Sequence, residues 1–314
     1  MLFNSLLFSP KSIPFSLKTT IRGPEGVAIF NKPDDSQRYL SCSKQLQSDA
    51  GHRHFVLVHG ACHGAWCWYK VSALLKSAGH SVTALDMAAS GVHPKQIHEL
   101  RSFLDYFEPL MEFMASLPPE ERVVLVGHSL GGVGLSVAME KFPEKISAGV
   151  FAAATMAGPN FDFKTIAQKY PKESISPMDS KYIYGDGPNN PPTATILGPK
   201  FLASKYYRFS PPENLVLATL LVRPSPLFSD PEAAHNEIIF TKERYGSVYR
   251  VYIVCDQEND VVQKLMIENN PPDEVKVIPG SDHMVMFSKP HDLCSCLMEI
   301  GEMPFNLITT CSYD

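Results

Sequence analysis

Short apolar runs and helical patterns alternate along the chain after residue 52. The runs have the length of strands, and the segments between them carry apolar residues at helical spacing. Strands that alternate with helices predict a doubly wound, mostly parallel sheet. One of the strands, 122–126, has no polar face, which is typical of a central strand buried on both sides. The predicted strands are residues 54–59, 80–85, 122–126 and 148–153, and the predicted helices are residues 68–78, 100–117 and 130–141.

The alternation stops between residues 155 and 245, where proline, asparagine and aromatic residues are frequent. A stretch of this length is too long for a loop in a compact domain, so it is expected to form helices of its own. We interpret it as a mainly helical cap, inserted after a core strand and covering the site. Strand patterns resume at residues 249–254 and 276–278, and a closing helix is expected at residues 291–300.

Residues 1–52 differ from the rest because they are polar, rich in serine and proline, and without periodicity. We interpret them as a disordered leader, which leaves residues 53–154 and 246–314 as the α/β core. Basic residues precede the first acidic residue, Glu25, so a plastid transit peptide is the alternative. Without such targeting, the protein is expected in the cytoplasm.

Charge and composition exclude several kinds of partner. The net charge is −5 and the 28 basic residues are scattered, so no basic stripe is expected to bind nucleic acid. No run of about 18 apolar residues is present, although a membrane-spanning helix needs one. The seven cysteines have neither a disulfide framework nor the spacing of zinc ligands. They are expected to be reduced, and no metal is expected.

The candidate chemistry begins with residues 127–131 (GHSLG), which match the G-x-S-x-G pattern of a nucleophile elbow. A buried strand leads into the pattern and a helix follows it, as this mechanism requires. The sharp turn is expected to hold Ser129 in a strained backbone conformation, with Gly127 and Gly131 leaving room for neighbouring backbone. The alternative, a glycine-rich turn that only packs strand on helix, explains this context less well.

Serine needs a base to activate it. When the catalytic residues follow the order serine, acid, histidine along the chain, the histidine lies after the last strand. His283 occupies that place, within residues 280–283 (GSDH). His291 lies further on and is expected at the surface. His128 is next to Ser129, but we expect an adjacent elbow residue to point away from the partner of the nucleophile. Ser129 and His283 are therefore the predicted nucleophile and base.

Two backbone N–H groups should form an oxyanion hole, one after the nucleophile and one in the first strand-to-helix loop. These are predicted to be Leu130 and Ala61. In the same loop, His63 is interpreted as structuring the loop, with a second catalytic base as the alternative. The acid that orients His283 should follow the strand at 249–254. Several carboxylates compete there, and periodicity does not choose among them: Asp256, Glu258 and Asp260.

Together these residues resemble one family. Residues 59–66 (HGACHGAW), 127–132 (GHSLGG), 243–248 (ERYGSV) and 282–284 (DHM) are similar to the plant methylesterase and hydroxynitrile lyase family of α/β-hydrolases. The resemblance covers about residues 53–300 and implies the α/β-hydrolase fold. The aspartate of the family maps onto Glu258, which is a departure. The resemblance implies Glu258 as the acid, with Asp256, or no functional acid, as alternatives.

The resemblance also helps to distinguish the two reactions of the family, ester hydrolysis and cyanohydrin cleavage. Lyases of the family carry a lysine after the catalytic histidine and a threonine early in the first loop. The matching positions here are Met284 and Gly60, so the cationic cyanide site of a lyase is absent. The resemblance places Gly60, His63 and Met284 around the substrate.

The function that follows is a serine carboxylesterase acting on the methyl ester of a small plant metabolite. An alkaloid ester is one such substrate, and its acid could lose carbon dioxide afterwards. No cofactor is implied, and a homodimer is left open. One alternative is an enzyme of alkaloid biosynthesis that uses this scaffold for decarboxylation or cyclisation. Another is a small-molecule receptor without catalysis.

Overall fold

The computed structural model of the protein describes residues 22–23, 26–27, 51–169, 177–227, 238–257 and 260–303. The chain divides into two units, Met1–Ala50 and Gly51–Asp314. In the first unit, two short strands, β1 (Arg22–Gly23) and β2 (Gly26–Val27), pair antiparallel. All other elements belong to the second unit.

The second unit is built on a six-stranded sheet with the order β11-β10-β6-β5-β3-β4. All of its neighbouring strands are parallel, as the sequence predicted. Strand β5 lies inside the sheet, between β6 and β3, and each of its residues is buried. The prediction of a central strand here is confirmed. The six strands are β3 (His54–Val58), β4 (Ser81–Leu85), β5 (Val123–His128), β6 (Ile146–Ala152), β10 (Arg250–Cys255) and β11 (Glu274–Ile278).

Helices cover both faces of the sheet. Alternate residues of β3 enter opposite apolar clusters, with Phe55 and Leu57 in one and Val56 and Val58 in the other. The first cluster contains residues of α1, α8 and α9, and the second contains residues of α2 and α3. The doubly wound arrangement is therefore present. The core helices are α1 (Tyr69–Ser77), α2 (Phe103–Ser116), α3 (Gly131–Lys141), α7 (Asp260–Asn269), α8 (Val285–Ser288) and α9 (Pro290–Glu302).

In the described residues of the inserted segment between β6 and β10, helices are more extensive than strands, as predicted, but there is also a small sheet that the sequence did not indicate. Its three strands pair antiparallel in the order β7-β8-β9. They are two or three residues long and lie among prolines, so they show no alternating pattern. The elements of the cap among the described residues are α4 (Phe163–Lys169), β7 (Lys181–Ile183), β8 (Ala194–Ile196), α5 (Pro199–Phe201) with a π-helical turn (Leu202–Tyr206), α6 (Pro212–Leu221) and β9 (Ser225–Pro226).

Two further expectations concern the described part of the chain. The five cysteines in it are free and buried, which agrees with the prediction of reduced thiols. Burial raises the pKa of the Cys62 thiol to about 12. Within the same residues, no helix is long and apolar enough to cross a membrane.

Candidate active site

Ser129 sits at the sharp turn between β5 and α3. Its φ is +53°, in the left-handed region that costs a non-glycine residue free energy. Its carbonyl accepts hydrogen bonds from the N–H of Gly132 (3.2 Å) and of Thr155 (3.0 Å), which hold the turn closed. The strained conformation predicted for a nucleophile elbow is confirmed.

The first loop, after β3, lies directly against this turn. A Cβ added to Gly60 would come within 2.8 Å of the Cβ of Ser129, and one added to Gly131 would come within 2.6 Å of the carbonyl oxygen of His59. Contacts this short cannot be accommodated without movement of the backbone. Gly60 and Gly131 therefore allow the loop and the elbow to approach each other. Gly60, expected beside the substrate, has this steric reason to be glycine.

The two predicted oxyanion donors lie on either side of this contact. Leu130 directly precedes α3, and Ala61 follows Gly60 in the first loop. Neither backbone N–H donates a hydrogen bond to any group in the described part of the chain. Both residues are partly exposed. The N-terminus of α3 adds a partial positive charge. These N–H groups are thus available to the oxygen of a substrate carbonyl.

His283 follows β11 and is 5% exposed. The ring of Tyr206, from the cap, lies 4.1 Å from the imidazole ring between centroids, and the ring of His128 lies 4.6 Å away. Since His128 immediately precedes Ser129, the loop of His283 reaches the elbow. His291, expected at the surface, is exposed.

The expectation that His128 points away from the predicted base is wrong. His128 Nε2–H donates a hydrogen bond of 2.8 Å to the main-chain carbonyl of His283. The loop after β11 extends across the edge of the sheet, from a strand three places away, so that its backbone lies against the end of β5. Burial, followed by the proximity of His283, lowers the pKa of His128 well below its usual value. A neutral His128 can therefore hold the loop of the base in place.

His63 is held on both sides of its ring. Nδ1–H donates to the carbonyl of Ala61 (2.8 Å), and Nε2 accepts from the hydroxyl of Tyr207 (2.8 Å). Burial lowers the pKa of His63 to about 3, so the ring is neutral. Both nitrogens are used within the protein. This arrangement favours the interpretation that His63 structures the oxyanion loop over that of a second base.

Met284, the position of the lysine in lyases, is fully buried and belongs to an apolar cluster of the core. Its N–H donates to Oδ1 of Asp282 (3.1 Å). Its side chain brings no positive charge to the neighbourhood of His283. A lyase-type cyanide site therefore has no counterpart at this position.

The predicted acid, Glu258, lies outside the described residues. The alternative, Asp256, is exposed, and its Oδ1 accepts a hydrogen bond of 2.6 Å from the N–H of Gly280. The N–H of Gln257 donates to the carbonyl of Ser281 (3.1 Å). The loops after β10 and β11 are therefore joined by hydrogen bonds, and the identity of the triad acid stays a prediction.

Two carboxylates near the site were not singled out from the sequence. Asp86 directly follows β4 and accepts from the N–H of Ala65 (2.6 Å) in the first loop and of Val92 (3.0 Å). Asp282 directly precedes His283 and accepts hydrogen bonds from the cap. Their positions at the carboxyl ends of parallel strands were the available signal, because those ends meet at one edge.

Comparison with known proteins agrees with this geometry. A model described as "Alpha/beta hydrolase family" matches residues 55–295. Methyl jasmonate esterase 1 of Vitis vinifera is 58% identical over 254 residues, covering 80% of this chain and 97% of that protein. Polyneuridine aldehyde esterase of Rauvolfia serpentina is 46% identical over 255 residues, covering 80% and 96%.

A solved structure of a related plant protein is also similar to this chain. A variant of tomato methylketone synthase I, complexed with β-ketoheptanoate, superimposes with a TM-score of 0.76 at 53% identity. The match covers 79% of this chain and 97% of that chain. The chain belongs to the α/β-hydrolase family, within its plant methylesterase branch.

Proposed function

We propose that the protein is a serine carboxylesterase that hydrolyses the methyl ester of a small plant metabolite. The observation that carries the proposal is the elbow: Ser129 has a left-handed backbone beside the available N–H groups of Ala61 and Leu130. This is the arrangement that acyl transfer to serine requires. Relatives named as esterases support the same reaction.

In the proposed mechanism, His283 takes the proton of the Ser129 hydroxyl as its oxygen attacks the ester carbonyl carbon. The carbonyl oxygen becomes an oxyanion and accepts hydrogen bonds from Ala61 and Leu130. The tetrahedral intermediate then expels the methoxy group, which leaves as methanol with the proton from His283. A water molecule, deprotonated by His283, hydrolyses the acyl-enzyme to the free acid and restores Ser129.

The cap favours an apolar acyl group. Tyr206 contacts the predicted base, Tyr207 contacts the oxyanion loop, and Phe209 follows in the same segment. Aromatic walls of this kind bind apolar ligands with few polar contacts. The name of the 58% identical relative makes methyl jasmonate the first ester to test. Polyneuridine aldehyde, an alkaloid ester in the name of a second relative, is the next.

The test is the release of methanol and free acid from a panel of methyl esters by the purified protein. Wild type should hydrolyse at least one member, and Ser129→Ala should lower kcat by at least about 1,000-fold, since triad residues contribute that much or more. Ser136→Ala is the matched control, because this buried serine lies in α3 and its hydroxyl donates to the main-chain carbonyls of Gly132 and Ala157. If the wild-type protein left every methyl ester of the panel unhydrolysed, the proposal would be contradicted.

A second candidate is decarboxylation of a β-keto acid, because the tomato relative is complexed with β-ketoheptanoate. This reaction needs no serine nucleophile. A β-keto acid and its methyl ester, incubated with Ser129→Ala, separate the two functions. Carbon dioxide released by this variant from the free acid, above the uncatalysed rate, would favour the second candidate.

A further inference from the structure

The cap reaches the loop of His283 through one buried carboxylate. Asp282 is 1% exposed, and its Oδ2 accepts from the N–H of Phe209 (2.8 Å) and from the hydroxyl of Ser210 (3.0 Å). Its Oδ1 accepts from the N–H of Met284 (3.1 Å), in its own loop. One side chain thus joins the cap to the residues on both sides of the predicted base.

The hydrogen bonds to Asp282 are expected to be strong, because their acceptor is a buried carboxylate. A buried carboxylate is costly unless several donors replace its water. Hydrogen bonds to an ionised acceptor are about twice as strong as neutral ones. No lysine or arginine forms an ion pair with Asp282 among the described residues. Among the described residues, two of the three donors to this carboxylate come from the cap, so the cap provides much of the compensation.

The same cap segment, residues 206–210, touches the remaining parts of the site. The ring of Tyr206 lies 4.1 Å from that of His283, and the hydroxyl of Tyr207 donates to His63 in the oxyanion loop. Both contacts depend on where the segment lies. Asp282 fixes that position at the other end, through Phe209 and Ser210.

We propose that Asp282 is a positioning residue that fastens the cap segment 206–210 to the loop of His283. The docking of the cap and the placement of the base are then one coupled arrangement. The inference rests on the proposed function, in which His283 is the base. It predicts that loosening the cap here slows the chemical step, in addition to weakening substrate binding.

Asp282→Asn tests this coupling with little change in volume. One carboxylate oxygen becomes an NH2 group, which accepts no hydrogen bond, so the side chain can no longer accept both from the cap donors and from the N–H of Met284. We expect kcat to fall by about 10- to 100-fold, because misplacing a catalytic group by about 1 Å can cost about 100-fold. The rate at which a fluorophosphonate labels Ser129 should fall by a similar factor. Labelling needs the activated serine but no ester substrate.

The route through the cap is tested by Ser210→Ala, which removes one donor and keeps the N–H of Phe209. A decrease of about threefold in kcat and in labelling is expected, since one of two contacts remains. The double variant with both Asp282→Asn and Ser210→Ala should have a kcat no lower than that of Asp282→Asn alone, because both changes act on the same contact. Additive effects would overturn the inference, since Asp282 would then act without the cap.

Asp179→Asn is the matched control. Asp179 also accepts hydrogen bonds from two backbone N–H groups of the cap, those of Lys200 (2.9 Å) and Phe201 (2.9 Å), but among the described residues it forms no hydrogen bond or ion pair with the loop of His283. Its replacement should lower the unfolding midpoint and leave kcat within about twofold. If Asp179→Asn slowed catalysis as much as Asp282→Asn, the role of Asp282 would be structural only.

The two proposals fail in different ways. If no ester is hydrolysed but labelling of Ser129 falls in Asp282→Asn and Ser210→Ala, the coupling stands and the proposed substrate class fails. If esters are hydrolysed and both variants keep the wild-type kcat and labelling rate, the coupling is overturned. Should Asp282→Asn not fold, Ser210→Ala decides alone. Its control is Ser204→Ala, a cap serine that bonds to the carbonyl of Lys200 and should label at the wild-type rate.

Discussion

Besides His283, three buried histidines lie in the loops around the site of Ser129, and hydrogen bonds set the tautomer of each. His59 donates from Nδ1 to the carbonyl of Gly60 (2.8 Å) and accepts at Nε2 from the N–H of Met87 (3.1 Å). His63 uses both nitrogens in the same way, and His128 donates from Nε2. Burial lowers the pKa of all three. They act as neutral braces for the backbone around the site.

His128→Phe should reveal this bracing. The aromatic ring preserves packing against His283, but the carbonyl of His283 loses its donor. An unsatisfied buried acceptor costs about 1–3 kcal/mol, so we expect a lower free energy of unfolding and a kcat about 10-fold lower. His128→Gln can place an N–H at a similar reach and should retain most of the activity. Steady-state kinetics and chemical denaturation of both variants measure this, and a fully active phenylalanine variant would contradict it.

Features that depend on a local sequence pattern could be predicted. Ser129 could be predicted because its strain and its exposure follow from five consecutive residues. His128 and Asp282 could not, because their roles depend on which distant backbone lies beside them. A loop crossing from β11 to β5 leaves no periodic signal. The turn at Ser129 was therefore predictable from the sequence, and the contacts that support it were much less so.

At the scale of elements, periodicity predicted every strand of the large sheet, with ends that differ by a few residues. The helix α7 was missed, although it begins soon after the predicted acid loop. The cap was predictable as an insertion because the alternation stops. The elements inside the cap could not be predicted, since strands of two or three residues contain too few positions to show a period.

The junction between cap and core depends on Arg223, which follows α6. Its guanidinium donates to the carbonyls of Gly91 (3.0 Å), His93 (2.8 Å) and Lys95 (3.0 Å) in the loop after β4. Its N–H donates to the carbonyl of Cys62 (3.0 Å). A planar guanidinium matches several carbonyls at once, as a lysine cannot. One residue thus fastens the end of α6 to two core loops.

Arg223→Met should loosen this junction. Hydrogen bonds to a charged group are worth about 1.5–3 kcal/mol each, so we expect a loss of at least about 2 kcal/mol in the free energy of unfolding. KM for a bulky ester should rise more than KM for a small one, because only the bulky group reaches the cap. The exposed Arg101→Met is the control for a lost surface charge. Equal KM changes for both esters would count against this assignment.

For the molecule as a whole, the buried histidines imply acid sensitivity. Each stays neutral in the folded state, while the unfolded chain takes up a proton below about pH 6.5. The unfolded state therefore binds more protons between about pH 3, the pKa of His63, and pH 6.5. Stability is present above pH 6.5 and is lost as the pH falls through this window.

The prediction is a free energy of unfolding that decreases by up to about 1.4 kcal/mol per pH unit for each such histidine. Denaturant titrations between pH 4 and pH 7 measure the slope. His63→Gln should make it shallower, because one proton-binding difference disappears. His98→Gln, at an exposed position, should leave it unchanged. An identical slope in wild type and His63→Gln would show that His63 is not neutral in the folded protein.

The left-handed backbone of Ser129 has a consequence for how this chain can evolve. Any residue other than glycine costs about 1–3 kcal/mol in such a conformation, so the fold alone would favour glycine there. Selection for stability and selection for activity thus act in opposite directions at one position. A descendant that no longer needs the nucleophile would gain stability by losing it, so this scaffold can pass from enzyme to binding protein without a penalty in folding.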